Sequence, residues 1–201
     1  MKTFSKHLWI LVFLFFCVSN FSYAEVESLE KLIVFGVELR HASRKDIREA
    51  IKSCGLPEKE ELMWGRVNEY DPSEYLEGSD YLGINYLPEN RNLDGPGTDR
   101  DKLAEIRYMF PFSREQDAFQ KVLLMIESKY GLSHGSMDNL NKGITFITWW
   151  NFKDGTRISL HRTRDALPYT VLSFSVNENL QEIYKLRNEK KRLKDEKDNS
   201  F

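Results

Sequence analysis

Ile144-Thr145-Phe146-Ile147-Thr148-Trp149-Trp150-Asn151-Phe152-Lys153-Asp154-Gly155-Thr156-Arg157-Ile158-Ser159-Leu160-His161 is the stretch on which the fold class turns. β-Branched and aromatic residues flank Lys153-Asp154-Gly155 on both sides, which is the pattern of two strands joined by a tight turn. Asp-Gly followed by Thr156 suits a three-residue connection with Gly155 in the left-handed conformation. Such a loop pairs Phe152 with Thr156, Trp150 with Ile158 and Trp149 with Ser159. One face then gathers Phe146, Trp150, Phe152, Ile158 and Leu160. The other gathers Ile147, Trp149, Asn151, Arg157, Ser159 and His161. A two-residue turn would slip the register by one and mix polar with apolar on both faces. The first register separates the classes and is preferred.

Working outward, a third strand is expected over 169–176. Strict alternation of Ala104, Ile106, Tyr108, Phe110 and Phe112 marks another. Weaker strands fall near 62–70 and 81–86, and a first one over Leu32–Leu39, with Ile33, Phe35, Val37 and Leu39 on one face. Ser43 and Asp46 open a helix in the manner of a capping box. Ile47, Ala50, Ile51 and Cys54 line its apolar stripe, which predicts a buried Cys54, and Gly55 with Pro57 ends it. Ser113 with Gln116 opens a second helix, with Phe119, Val122, Leu123, Ile126 and Tyr130 as its stripe and Gly131 as its stop. A third begins near Asn179. Strands joined by short turns predict an α+β fold, an antiparallel sheet with helices packed on one side plus a charged C-terminal helix. The order strand–helix–strands occurs twice, as a pseudo-repeat of 25–102 and 103–178 within one domain over 25–186.

The two ends differ from that body. Lys2 and Lys6 precede an apolar run from Leu8 to Val18, and Ser22-Tyr23-Ala24 supplies small residues for cleavage, so 1–24 reads as a secretory signal peptide. The run is too short for a membrane span, which needs about 20 apolar residues. Cys17 lacks the small residues that precede a lipidated cysteine. An exported chain, periplasmic or secreted, would keep only Cys54 and so form no internal disulfide. At the other end, ten of the twelve residues of Arg187–Asp198 are charged, six of them basic, and 187–201 is expected to be a disordered tail. A sharper alternative has Lys190, Lys191, Arg192 and Lys194 touching anionic lipid or an acidic partner.

Charge is nearly balanced, 29 Lys+Arg against 31 Asp+Glu, which argues against a nucleic-acid-coating protein. The chain has no glycine-rich phosphate loop, no His-Glu-x-x-His and no Cys-x-x-Cys. Ser133 and His134 sit after a helix rather than at a strand-to-helix elbow, and read as loop residues. Asn90, Asn92, Asp94 and Asp101 imitate positions 1, 3, 5 and 12 of a calcium loop. Asn at the first position, Asp for the bidentate Glu, and Pro96 in the middle leave at most a weak calcium module there. No other cofactor is expected.

Trp149, Arg157, Ser159 and His161 therefore stand out as a ligand or partner platform, an aromatic body beside a cation and hydrogen-bonding groups. The plainer alternative is that a helix or loop covers the tryptophan. The leading expectation is a non-catalytic exported module that binds a protein, peptide or envelope component, with no transmembrane span in the mature chain. The runner-up is a small hydrolase with an acid–base site around His161 and carboxylates such as Asp165, which would require a carboxylate within about 3 Å of the imidazole.

Overall fold

The structure, a computed structural model, describes residues 29–56, 58–62, 67–72, 76–111, 118–139, 144–163 and 169–198. The expected leader and Asp165 lie outside them, as do Ser113 and Gln116. In chain order the elements are β1 (Ile33–Val34), β2 (Val37–Glu38), a 3-10 turn (Leu39–His41), α1 (Arg44–Ser53), β3 (Glu58–Leu62), β4 (Val67–Tyr70), β5 (Tyr81–Leu87) and β6 (Lys102–Pro111). There follow α2 (Ala118–Tyr130), β7 (Gly135–Asn139), β8 (Ile144–Asn151), β9 (Thr156–Thr163), β10 (Tyr169–Val176) and α3 (Asn177–Asp198). The fold is α+β, as the sequence predicts.

Eight strands form one sheet in the order β3-β4-β5-β6-β10-β9-β8-β7, and every described neighbour pair is antiparallel. A helix followed by a four-strand meander thus occurs twice, and the last strands of the two meanders, β6 and β10, pair at the centre. This topology keeps β6 with the first half, whereas the sequence pattern places the boundary before it. The β8–β9 register pairs Trp150 with Ile158 and Trp149 with Ser159, and Phe152 N donates to Thr156 O (3.0 Å). Gly155 closes the turn with φ +84, so the glycine is required there.

One face carries the main core. Ile47 and Ile51 of α1 and Phe119, Val122 and Ile126 of α2 pack on Tyr86, Ile106, Tyr108, Phe110, Trp150 and Leu172. Each such aliphatic side chain contributes about 1.5–3 kcal/mol on full burial. Tyr108 meets Phe174 edge-on at 6.2 Å, and Phe119 meets Phe146 at 5.3 Å. Trp150 is fully buried and donates from Nε1 to Gly131 O (2.9 Å), which joins the end of α2 to the end of β8. Ser43 caps α1 with both arms of the box: Asp46 N donates to Ser43 Oγ (3.3 Å), and Ser43 N to Asp46 Oδ2 (2.9 Å).

Several local expectations are corrected. Leu32–Leu39 is not one strand. Phe35 (φ 53) and Gly36 (φ 77) turn the chain between β1 and β2, so the alternation is broken and Ile33 faces solvent. The expected strand near 62–70 is two paired strands, β3 and β4, and the Gly-Ser-Asn segment after α2 contributes the edge strand β7. Cys54 is exposed. Its N–H is shared between Ala50 O and Ile51 O, a tightened last turn that rotates it off the stripe. Leu56, past the left-handed Gly55, takes the buried place instead. The charged segment from 187 is not irregular either, because α3 runs unbroken to Asp198.

Candidate functional site

The second face of the sheet is mixed, with its charged and amide side chains in two neighbouring rows. Register places Asn85, Glu105, Ser175, Arg157 and Asn151 in one cross-strand row. The next row is Gly83, Arg107, Ser173, Ser159, Trp149 and Gly135, and the third is Tyr81, Met109, Val171, His161, Ile147 and Met137. Trp149, Arg157, Ser159 and His161 are thus brought to one face, each half-buried. Arg157 Nε donates to Asn151 Oδ1 (2.8 Å), so the guanidinium is held along its row. Trp149 lays its indole against Gly135 of the edge strand. Ser173 and Ser175 of β10 are buried between the longer side chains of β6 and β9.

The β5–β6 end of this face holds residues that periodicity alone did not single out. Glu105 is almost wholly buried and receives Arg107 in a bidentate pair, Nη2 to Oε2 at 2.8 Å and Nε to Oε1 at 3.3 Å. Asn85 Nδ2 donates to the same carboxylate (3.1 Å). Tyr81 lies across Gly83, where a Cβ would come within 2.6 Å of its Cε1. Its hydroxyl reaches Glu69, and burial with that carboxylate pushes the phenol up to about 12. The usable signal in the sequence is the pair Glu105 and Arg107, alternating with Ile106 and Tyr108 in the most regular strand.

α3 crosses this end. Asn179 Nδ2 donates to Leu103 O (2.7 Å), and Leu180, Ile183, Tyr184 and Arg187 close a depression of about 190 Å³ over Tyr81, Gly83, Asn85, Glu105 and Arg107. The face is therefore divided. α3 packs against β5, β6 and β10, and the Trp149 cluster lies toward the far edge.

His161 sits between the two parts. Burial, with the Arg107 guanidinium, holds its imidazole below the usual value, and Glu105 acts in the opposite sense. Among the described residues its Nδ1 is buried without a hydrogen-bond partner, as is Ser173 Oγ. Asp165, the carboxylate that an acid–base site at His161 would use, lies outside the described residues. His134 is a structural link, accepting Asn151 N at Nδ1 (2.9 Å).

The loop over 90–101 is organised from within. Asp101 is buried and accepts from Glu89 N (3.1 Å), Thr98 N (2.9 Å) and Thr98 Oγ1 (3.0 Å). Asn90 accepts from Asn92 N and Asn92 from Asp94 N, both at 2.9 Å, while Asp94 is paired with Lys190. These bonds use the oxygens that the calcium reading assigns to a cation, and no three His, Cys, Asp or Glu among the described residues are placed to hold a metal. No described helix is long and apolar enough to cross a membrane. Compared with known protein families, curated proteins and solved structures, the chain shows no significant match.

Proposed function

We propose that the chain is an exported, non-catalytic binding module that takes a protein, peptide or envelope component on the Trp149–Arg157–Ser159–His161 face. One observation carries this reading. Trp149 is half-buried rather than cored, on a face shared with a cation, a hydroxyl and an imidazole, while its neighbour Trp150 supplies the core. Aromatic and arginine side chains set among smaller polar ones are the usual anchors of recognition surfaces. Export rests on the leader-like segment 1–24.

The test has two arms. A photo-crosslinking residue at position 159 should trap a recurrent partner in the native compartment, and Trp149→Ala with Arg157→Ala should abolish the adduct while the fold is retained. Absence of any specific adduct, or one indifferent to both substitutions, overturns the binding face. Mass measurement of the native chain should find it beginning at Glu25, and an intact Met1 removes the export claim.

A further inference from the structure

A groove of about 680 Å³ runs between the β1–β2 hairpin and the second half of α2, on the helix-bearing face of the sheet. Its floor is Ile126 of α2 and Phe174 of β10, both buried, so it reaches down to the sheet. Ile33 and Phe35 line it from the hairpin, Met125 and Tyr130 from the helix. Ile33 is 45% exposed and Met125 41%, so hairpin and helix each present an aliphatic side chain to solvent. Scattered exposed aliphatics are ordinary, but two that line one cleft mark a site. Phe35 is held at φ 53, a strained conformation for an aromatic residue that persists only where its surroundings demand it. The charged residues of the lining are both cations. Lys31 reaches Glu38 at 2.9 Å, whereas Lys129 stands over the Tyr130 ring at 5.1 Å and meets no carboxylate among the described residues. Cys54, exposed at the end of α1, also borders the groove.

We propose that this groove binds a fatty acid, its hydrocarbon chain over Ile126 and Phe174 and its carboxylate at Lys129. The volume falls within the roughly 300–1,000 Å³ of small-molecule sites. An apolar floor rewards each methylene that it takes from water. The ammonium of Lys129 is the complement of a single anionic head group. A folded partner needs about 800 Å² of surface on each side, whereas the apolar surface here is a recess that ends on the sheet. Phe174 points to the face opposite Trp149, so the site is independent of the Trp149 platform.

Alkylation of Cys54 by iodoacetamide, read by peptide mass, reports occupancy because the thiol borders the groove. Sodium decanoate, kept below its micelle concentration, should slow that reaction about tenfold at ten times its Kd. Octanoate should bind about 15-fold more weakly, at about fourfold per methylene. Decyltrimethylammonium, with the same chain and the opposite charge, should protect less than decanoate at equal concentration. Lys129→Gln should weaken decanoate up to about fivefold, the scale of one exposed ion pair. Met125→Asp, at an exposed position, should abolish protection with the urea midpoint kept, while Trp149→Ala leaves it unchanged. Unslowed alkylation in decanoate overturns the proposal, as does equal protection by both head groups or protection that survives Met125→Asp. Protection that grows with protein concentration in the absence of decanoate would give the groove to a second copy, and also overturns it. The chain-length and head-group comparisons on the wild type serve alone if Met125→Asp fails to fold.

Discussion

The indole of Trp149 lies flat against Gly135, its strand partner, so closely that a Cβ at position 135 would stand 2.5 Å from Cζ2. A strand glycine here is the floor on which a large aromatic rests, which pins both the edge strand and the half-buried tryptophan. Gly135→Ala is expected to push the ring off the sheet, costing about 1–3 kcal/mol as an overpacked contact. A shift in tryptophan fluorescence beside a lowered Tm would register it, and an unchanged spectrum would contradict the contact.

The adjacent tryptophans should separate sharply in stability. Trp150→Ala removes a fully buried ring and leaves Gly131 O without its donor, an expected loss of about 3–5 kcal/mol. Trp149→Ala removes a half-buried cross-strand contact, about 1 kcal/mol. Urea unfolding of both variants checks the contrast, and equal losses would make both faces core.

Glu105 and Arg107 should behave as one unit. Arg107→Ala strands a carboxylate whose side chain is only 5% exposed, an expected cost of about 3 kcal/mol or more. Replacing Glu105 as well, in Glu105→Ala/Arg107→Ala, should restore part of that loss, because the uncompensated buried charge is gone. Strict additivity in the double-mutant cycle would show the pair to be uncoupled.

His161 makes stability depend on pH in a stated direction. Its folded pKa is lowered below 6.5, so the unfolded chain takes up the proton first. The contribution is whole above 6.5 and is lost as the pH falls from there toward the folded value. His161→Gln should flatten the wild-type decline between about pH 7 and pH 5. Urea midpoints across that range provide the measurement, and a parallel decline in the variant would assign the effect to other groups.

Cys54, exposed at the end of α1, should react with a thiol reagent in the folded protein at nearly the rate of the unfolded chain. Protection until denaturation would return it to the stripe of Ile47 and Ile51.

Pattern in the chain by itself determined the α+β class, the β8–β9 register and hence which tryptophan is core. Those are consequences of side-chain period and turn chemistry, which act over a few neighbouring residues. It also supplied the capping box at Ser43, but it missed the Phe35-Gly36 turn and the end of α1, where one or two residues of backbone geometry override the period. Only the tertiary structure decided what the second face is. Glu105 and Arg107 on β6 and Tyr81 on β5 form no group until β5, β6 and β10 are laid side by side and α3 is folded across one end. The partner that neutralises Glu105 is two residues away in sequence, yet its burial comes from the helix that begins at Asn177 and from the sheet beneath it. Burial is a property of what packs on a residue, and no local window of sequence contains it.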